Sequence, residues 1–273
     1  MTALKIPMYQ VDAFAGHVFS GNPAAICPLD GWLPDAQMQA IAAENNLAET
    51  AFFVRNGHGY KLRWFTPLAE VDLCGHATLA SASVILNDLT PGENSVSFET
   101  RSGTLTVTRD GDLYSMDFPA RPPGPCEPFP GLLSALGGQP EAVLAARDYF
   151  VVYSSEEELR ALKPNMQGLM DIDRFAVIAT APASASKVSS VSGPPAFDFV
   201  SRFFAPAKGV PEDPVTGSSH CSLIPYWSKR LGKKKLRAYQ ASPRGGELWC
   251  EDRGERVIIS GKAARFFEGT IFL

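Results

Sequence analysis

The stretch "RWFTPLAEVDLCGHATLASASVIL", Arg63–Leu86, leads from an aromatic strand through a proline and an acidic loop to a glycine. It then enters a segment that is apolar on nearly every side. A second stretch, "SRFFAPAKGVPEDPVTGSSH", Ser201–His220, repeats that order and continues into "CSLIPYW". A helix apolar all round is one enclosed by other elements. Two such helices, each entered from an aromatic strand by way of an acidic turn, suggest a duplicated β-rich unit wrapped around a central helix.

Working outward, the rest of the chain fits the same repeat. The first half reads as strand "MYQVDAF", helix "PDAQMQAIAAEN" with Met38, Ile41 and Ala42 on one face, and strands "AETAFFV" and "YKLRWFTP". After the apolar helix come three alternating strands, "SVSFET", "GTLTVTR" and "LYSMDF", joined by "RSG" and "RDGD" turns. The second half reads as strand "YFVVY", helix "SEEELRAL", strands "RFAVIAT" and "FDFVSRFFAP", the second apolar helix, and four closing strands ending in "FFEGTIFL". Prolines crowd the seam "FPARPPGPCEPFPG", Phe118–Gly131, where regular structure must lapse. The expected organisation is therefore an α+β chain with halves at residues 1–118 and 119–273, a cleft between them, and a kink or break near Pro225 in the second helix.

Composition narrows the function classes. The 273 residues carry a net charge of −4, with 45% hydrophobic and 20% charged residues. This is ordinary for a globular protein and gives no general affinity for nucleic acid. The basic run "KRLGKKKLR", Lys229–Arg237, reads as a solvated helix end. No apolar run is long enough for a membrane span, and "MTALKIPMYQVDAF" lacks the apolar core of a signal peptide. Five cysteines without paired spacing fit reduced thiols, hence a cytoplasmic location.

The chemistry gathers at the heads of the two apolar helices. Their first N–H groups lack partners within the helix and carry the positive end of its dipole, which suits a substrate carboxylate. Gly75 and Gly217 would let the backbone approach a ligand closely. Ser218 and Ser219 could cap a helix or bind a carboxylate. Glu49, between a helix and the apolar Phe52–Phe53 pair, reads either as a turn glutamate or as a proton shuttle. Asp213 reads either as a turn acid ahead of Pro214 or as a substrate-orienting group. His76 could donate to a substrate oxygen or relay a proton; His17 and His58 read as loop residues and His220 as a satisfied helix-turn residue. A zinc site from Cys74, His76, His220 and Cys221 has no supporting ligand spacing, and no P-loop, dinucleotide fingerprint or nucleophile elbow is present.

"VDAFAGHVFSGNPAAI", "NNLAETAFF", "RWFTPLAEVDLCGHATLA" and "EDPVTGSSH" together resemble the PhzF-like family of phenazine-biosynthesis isomerases, which has the diaminopimelate epimerase fold. The resemblance implies that Glu49 is the acid/base, that Asp213 and Ser218 belong to the site, and that Gly75 and His76 head the first helix against the substrate. "QASPRGGEL" is similar to the family's late glutamine/arginine/glycine loop, where Arg244 is either a second carboxylate binder or a surface turn residue. The implied activity is isomerisation of a small carboxylate-bearing metabolite without cofactor or metal, in a homodimer. Racemases of this fold use one cysteine at each helix head. Here Cys74 precedes Gly75 but Thr216 precedes Gly217, which disfavours a two-thiol epimerase and leaves Cys74 as a packing residue. An epimerase using Glu49 with another acid, and an inactive small-molecule binding protein, stay as alternatives.

Overall fold

The computed structural model describes residues 4–184 and 197–273. The chain forms two compact units, Met1–Asp117 together with Ser260–Leu273, and Phe118–Ile259.

In the first unit, strand β1 (Lys5–Ala13) pairs antiparallel with β2 (Asn22–Leu29), Ala13 opposite Asn22. The chain then crosses through α1 (Asp35–Asn45) to β3 (Glu49–Asn56), which lies parallel to β2 with Ala24 opposite Glu49. Helix α1 buries Met38, Ile41 and Ala42, as their helical spacing requires. It ends at Asn46, whose φ of 48° gives the left-handed cap that asparagine tolerates. β3 turns tightly into β4 (Gly59–Phe65), with Asn56 opposite Gly59, and the short β5 (Glu70–Val71) pairs back onto β4.

Helix α2 (Gly75–Val84) is buried from His76 to Val84 and packs on β1, β2 and β3. Its end widens into a π-helical turn, Ile85–Leu89, closed by Thr90 N donating to Ile85 O at 2.7 Å. The meander β6 (Ser95–Thr100), β7 (Gly103–Asp110) and β8 (Leu113–Pro119) follows, with β6 parallel to β4.

The second unit contains β9 (Gly124–Pro125), α3 (Leu132–Leu136), β10 (Ala142–Ala145) and β11 (Tyr149–Val152), then α4 (Glu156–Ala161). Ser155 caps α4 by accepting from Glu158 N. β12 (Val177–Pro182) lies parallel to β11 and antiparallel to β13 (Phe199–Phe204). Helix α5 (His220–Leu231) follows, then β14 (Lys235–Gln240), β15 (Gly246–Asp252) and β16 (Arg256–Gly261). Trp227 of α5 stacks on Phe199 with ring centroids 5.6 Å apart, and its indole N–H donates to Thr180 Oγ1 at 2.9 Å.

Two expectations need correction. The last strand, β17 (Ala263–Phe272), does not complete the second half: it pairs antiparallel along all of β1, giving the free edge of that strand a partner. Pro225 does not break α5, which runs through it. Proline removes the N–H that would reach Cys221 O, and that carbonyl accepts instead from Arg121 N at 2.8 Å. As expected of the basic run, Lys229, Arg230 and Leu231 at the end of α5 are exposed, while His220–Ile224 are buried. Among the described residues, no helix is long and apolar enough to cross a membrane.

Candidate active site

In the first unit, Asn22 and Glu49 open the parallel strands β2 and β3, so both side chains start from the same end of the sheet. Helix α2 brings Cys74 and His76 to that end. The loop from β1 to β2 has to turn sharply to place Asn22: Phe14, Phe19 and Gly21 all have positive φ. Only glycine fits at Gly21, where an added Cβ would lie 2.2 Å from Ala13 O.

The His76 ring is buried and touched on both nitrogens. The Asn22 side-chain amide lies 3.2 Å from Nδ1, and Cys74 Sγ lies 3.5 Å from the same atom. On the other side of the ring, Glu49 Oε2 lies 2.9 Å from Nε2, an ion-pair distance. Burial works against protonating His76, yet the neighbouring Cys74 sulfur and Glu49 carboxylate outweigh it and hold its pKa well above the ordinary value. The Cys74 thiol is pushed up, first by burial and then by the Glu49 charge. Neither α2 nor α5 has a side-chain cap at its head.

The second unit builds a different constellation at the head of α5. Thr216 Oγ1 donates to Asp213 Oδ2. Gln240, fully buried, clamps both residues: its Oε1 accepts from Thr216 N at 2.8 Å, and its Nε2 donates to Asp213 O at 2.8 Å and to Thr216 Oγ1 at 3.2 Å. Gly217–Ser219 form a turn ahead of the helix, so α5 starts at His220 rather than at the glycine. Ser219 is buried and its hydroxyl donates to Thr216 O at 2.8 Å, whereas Ser218 is partly exposed and accepts from Arg147 Nη2 at 3.3 Å. His220 is buried with Nδ1 2.8 Å from Thr216 O, and burial lowers its pKa to about 4.

Of the residues singled out in sequence, Glu49, His76 and Cys74 come together, and Asp213, Thr216, Gly217, Ser218 and Ser219 share one turn. Potential metal-ligand atoms of Glu49, Cys74 and His76 lie within 4.8 Å of one another; His220 and Cys221 do not belong to that group. Asn22, Arg147 and Gln240 were not assigned roles from the sequence. Gln240 carried a usable signal in the "QASPRGGEL" loop; Arg147 carried none.

Two β-rich units, each with a largely buried helix headed by polar side chains, make this a mixed α+β protein of the diaminopimelate epimerase-like fold. The chain belongs to the family described as phenazine biosynthesis-like protein (PhzC-PhzF), which it matches over residues 11–269. It is 52% identical over 270 residues to a protein of Pseudomonas aeruginosa named an uncharacterized isomerase, covering 99% of this chain and 100% of that one. It is also similar to the crystal structure of a PhzF-family phenazine biosynthesis protein from Enterococcus faecalis, with a TM-score of 0.93 and 46% identity over 99% of this chain and 100% of that chain. A hydroxyproline epimerase from Agrobacterium vitis shares the fold alone, at a TM-score of 0.57 and 10% identity over 98% and 93% of the two chains.

Proposed function

We propose that this isomerase moves a proton on a small carboxylate-bearing metabolite without a cofactor, with Glu49 removing the proton from carbon and returning it elsewhere on the same molecule. The observation that carries the reading is the Glu49 carboxylate, held with one oxygen 2.9 Å from His76 Nε2 at the head of α2, where a carboxylate and an imidazole can pass a proton between them. His76, fixed by Asn22, supports the carboxylate and can donate from Nε2.

The alternative base at this helix head is Cys74. Burial and the Glu49 charge keep its thiol protonated, and its counterpart Thr216 already donates its hydroxyl to Asp213. Both features favour one carboxylate base over a thiol pair. Asp213 then acts as a substrate-orienting group, and Gly75, Gly217, Ser218 and Ser219 as substrate-binding residues. The partly exposed Ser218 hydroxyl supports this better than the Ser219 hydroxyl, which is spent on Thr216 O.

Small carboxylates incubated with the protein in deuterium oxide test the reading. Deuterium entering recovered ligand, with a double bond moved and stereochemistry retained, is the expected result. Inverted configuration without a moved bond would make the protein an epimerase, and binding without exchange a small-molecule binding protein.

A further inference from the structure

We infer that Arg147 and Ser218 form a binding site for one carboxylate of the substrate, an assignment that rests on the proposed action on a carboxylate-bearing metabolite. Arg147 lies in the bend before β11, and that bend lets it fold against its neighbour Asp148. Its Nε is 3.0 Å and its Nη2 2.9 Å from the Asp148 carboxylate, which is only 4% exposed. The guanidinium also lies over the Phe175 ring, 4.5 Å from the centroid. Two nitrogens and one face of the group are thus fixed. The side chain is still 33% exposed, and Nη1 makes no hydrogen bond among the described residues.

Ser218 completes the pair. Its Oγ accepts from Arg147 Nη2 at 3.3 Å, and its own hydrogen has no acceptor among the described residues. A hydroxyl that accepts from a guanidinium is a stronger donor in turn. Two unspent donors, one on Nη1 and one on Ser218 Oγ, are therefore held side by side before any ligand arrives. Such preorganisation removes part of the ordering cost of binding.

The charge balance selects the kind of anion. Asp148 already neutralises Arg147, so a singly charged, planar carboxylate meets matched donors with little net repulsion. A phosphate dianion would meet the same two donors beside the fixed charge of Asp148. Arg147 thereby gives the second unit a directional carboxylate grip that does not depend on the helix head alone.

The test uses benzoate as the probe, with benzamide as its uncharged counterpart and inorganic phosphate as the competing anion, each titrated by thermal shift. Four proteins are compared: wild type, Ser218→Ala, Glu49→Gln, and Arg147→Met combined with Asp148→Asn, so that no buried carboxylate is left unpaired. Benzoate is expected to stabilise wild type and Glu49→Gln equally, and to lose roughly tenfold or more in affinity in Ser218→Ala and in the double variant. Absence of benzoate binding to wild type, unchanged binding in both site variants, or equal binding of benzamide or phosphate would overturn the assignment. Should Glu49→Gln keep full hydrogen exchange while benzoate binding still depends on Arg147, the proton-transfer reading fails and this site stands.

Discussion

His220 should make the protein sensitive to acid. Its ring is fully buried against Phe199, with Nδ1 bonded to Thr216 O and Nε2 without a partner among the described residues, so a second proton would have no acceptor. Burial lowers its pKa from 6.5 to about 4. In the unfolded chain the same ring takes up a proton near 6.5, so between these values the unfolded state binds more protons than the folded one. The contribution is fully present above pH 6.5 and is lost as the pH falls toward 4. At about 1.4 kcal/mol per pH unit, the loss is on the order of 3 kcal/mol, a large part of an ordinary domain's stability. His220→Gln retains a donor for Thr216 O and cannot titrate. Denaturant unfolding at pH 7 and near pH 4 should show wild type losing about 3 kcal/mol more than this variant. Parallel losses in the two proteins, or an imidazole resonance that titrates near its unperturbed value, would refute the reasoning.

The other buried histidine acts in the opposite direction. Because the folded pKa of His76 is raised, its contribution is fully present below about pH 6.5 and is lost as the pH rises through the raised value; His76→Asn should flatten that alkaline limb in the same unfolding assay. Cys74→Ala should slow turnover less than about tenfold, roughly 1.4 kcal/mol of barrier, and lower stability by about 1 kcal/mol through a small cavity. If that variant folds normally but is inactive, the thiol takes part in the chemistry. Gln240→Leu strands Thr216 N–H and Asp213 O in a buried turn and should cost roughly 3 kcal/mol; calorimetry showing an unchanged melting temperature would count against the clamp.

Much of the fold was legible because the apolar pattern and the turn residues agreed. Met38, Ile41 and Ala42 gave the buried face of α1, and the uniformly apolar run after Gly75 gave the enclosed helix α2. Strand β2 was not singled out in the sequence: Pro23 and Pro28, residues uncommon inside a sheet, sit within its ladder. The partner of β17 was illegible because pairing with β1 joins the two ends of the chain, and local pattern says nothing about such distant register.

The site divides in the same way. Glu49 and His76 were readable from the motifs around them, and their 2.9 Å contact follows from β3 and α2 meeting at one end of the sheet. Arg147 was not readable. Adjacent residues on a strand point to opposite faces, so an Arg-Asp pair signals no mutual contact unless the chain bends there, as it does before β11.

In the proposed reaction the Glu49 carboxylate carries the proton. Glu49→Gln preserves its shape and removes its basicity, and the direct measurement is the rate at which solvent deuterium enters the carboxylate substrate of wild type and variant. The variant should bind that substrate nearly as well and exchange at least ~100-fold more slowly, the lower bound for losing a general base. Exchange at close to the wild-type rate would contradict it.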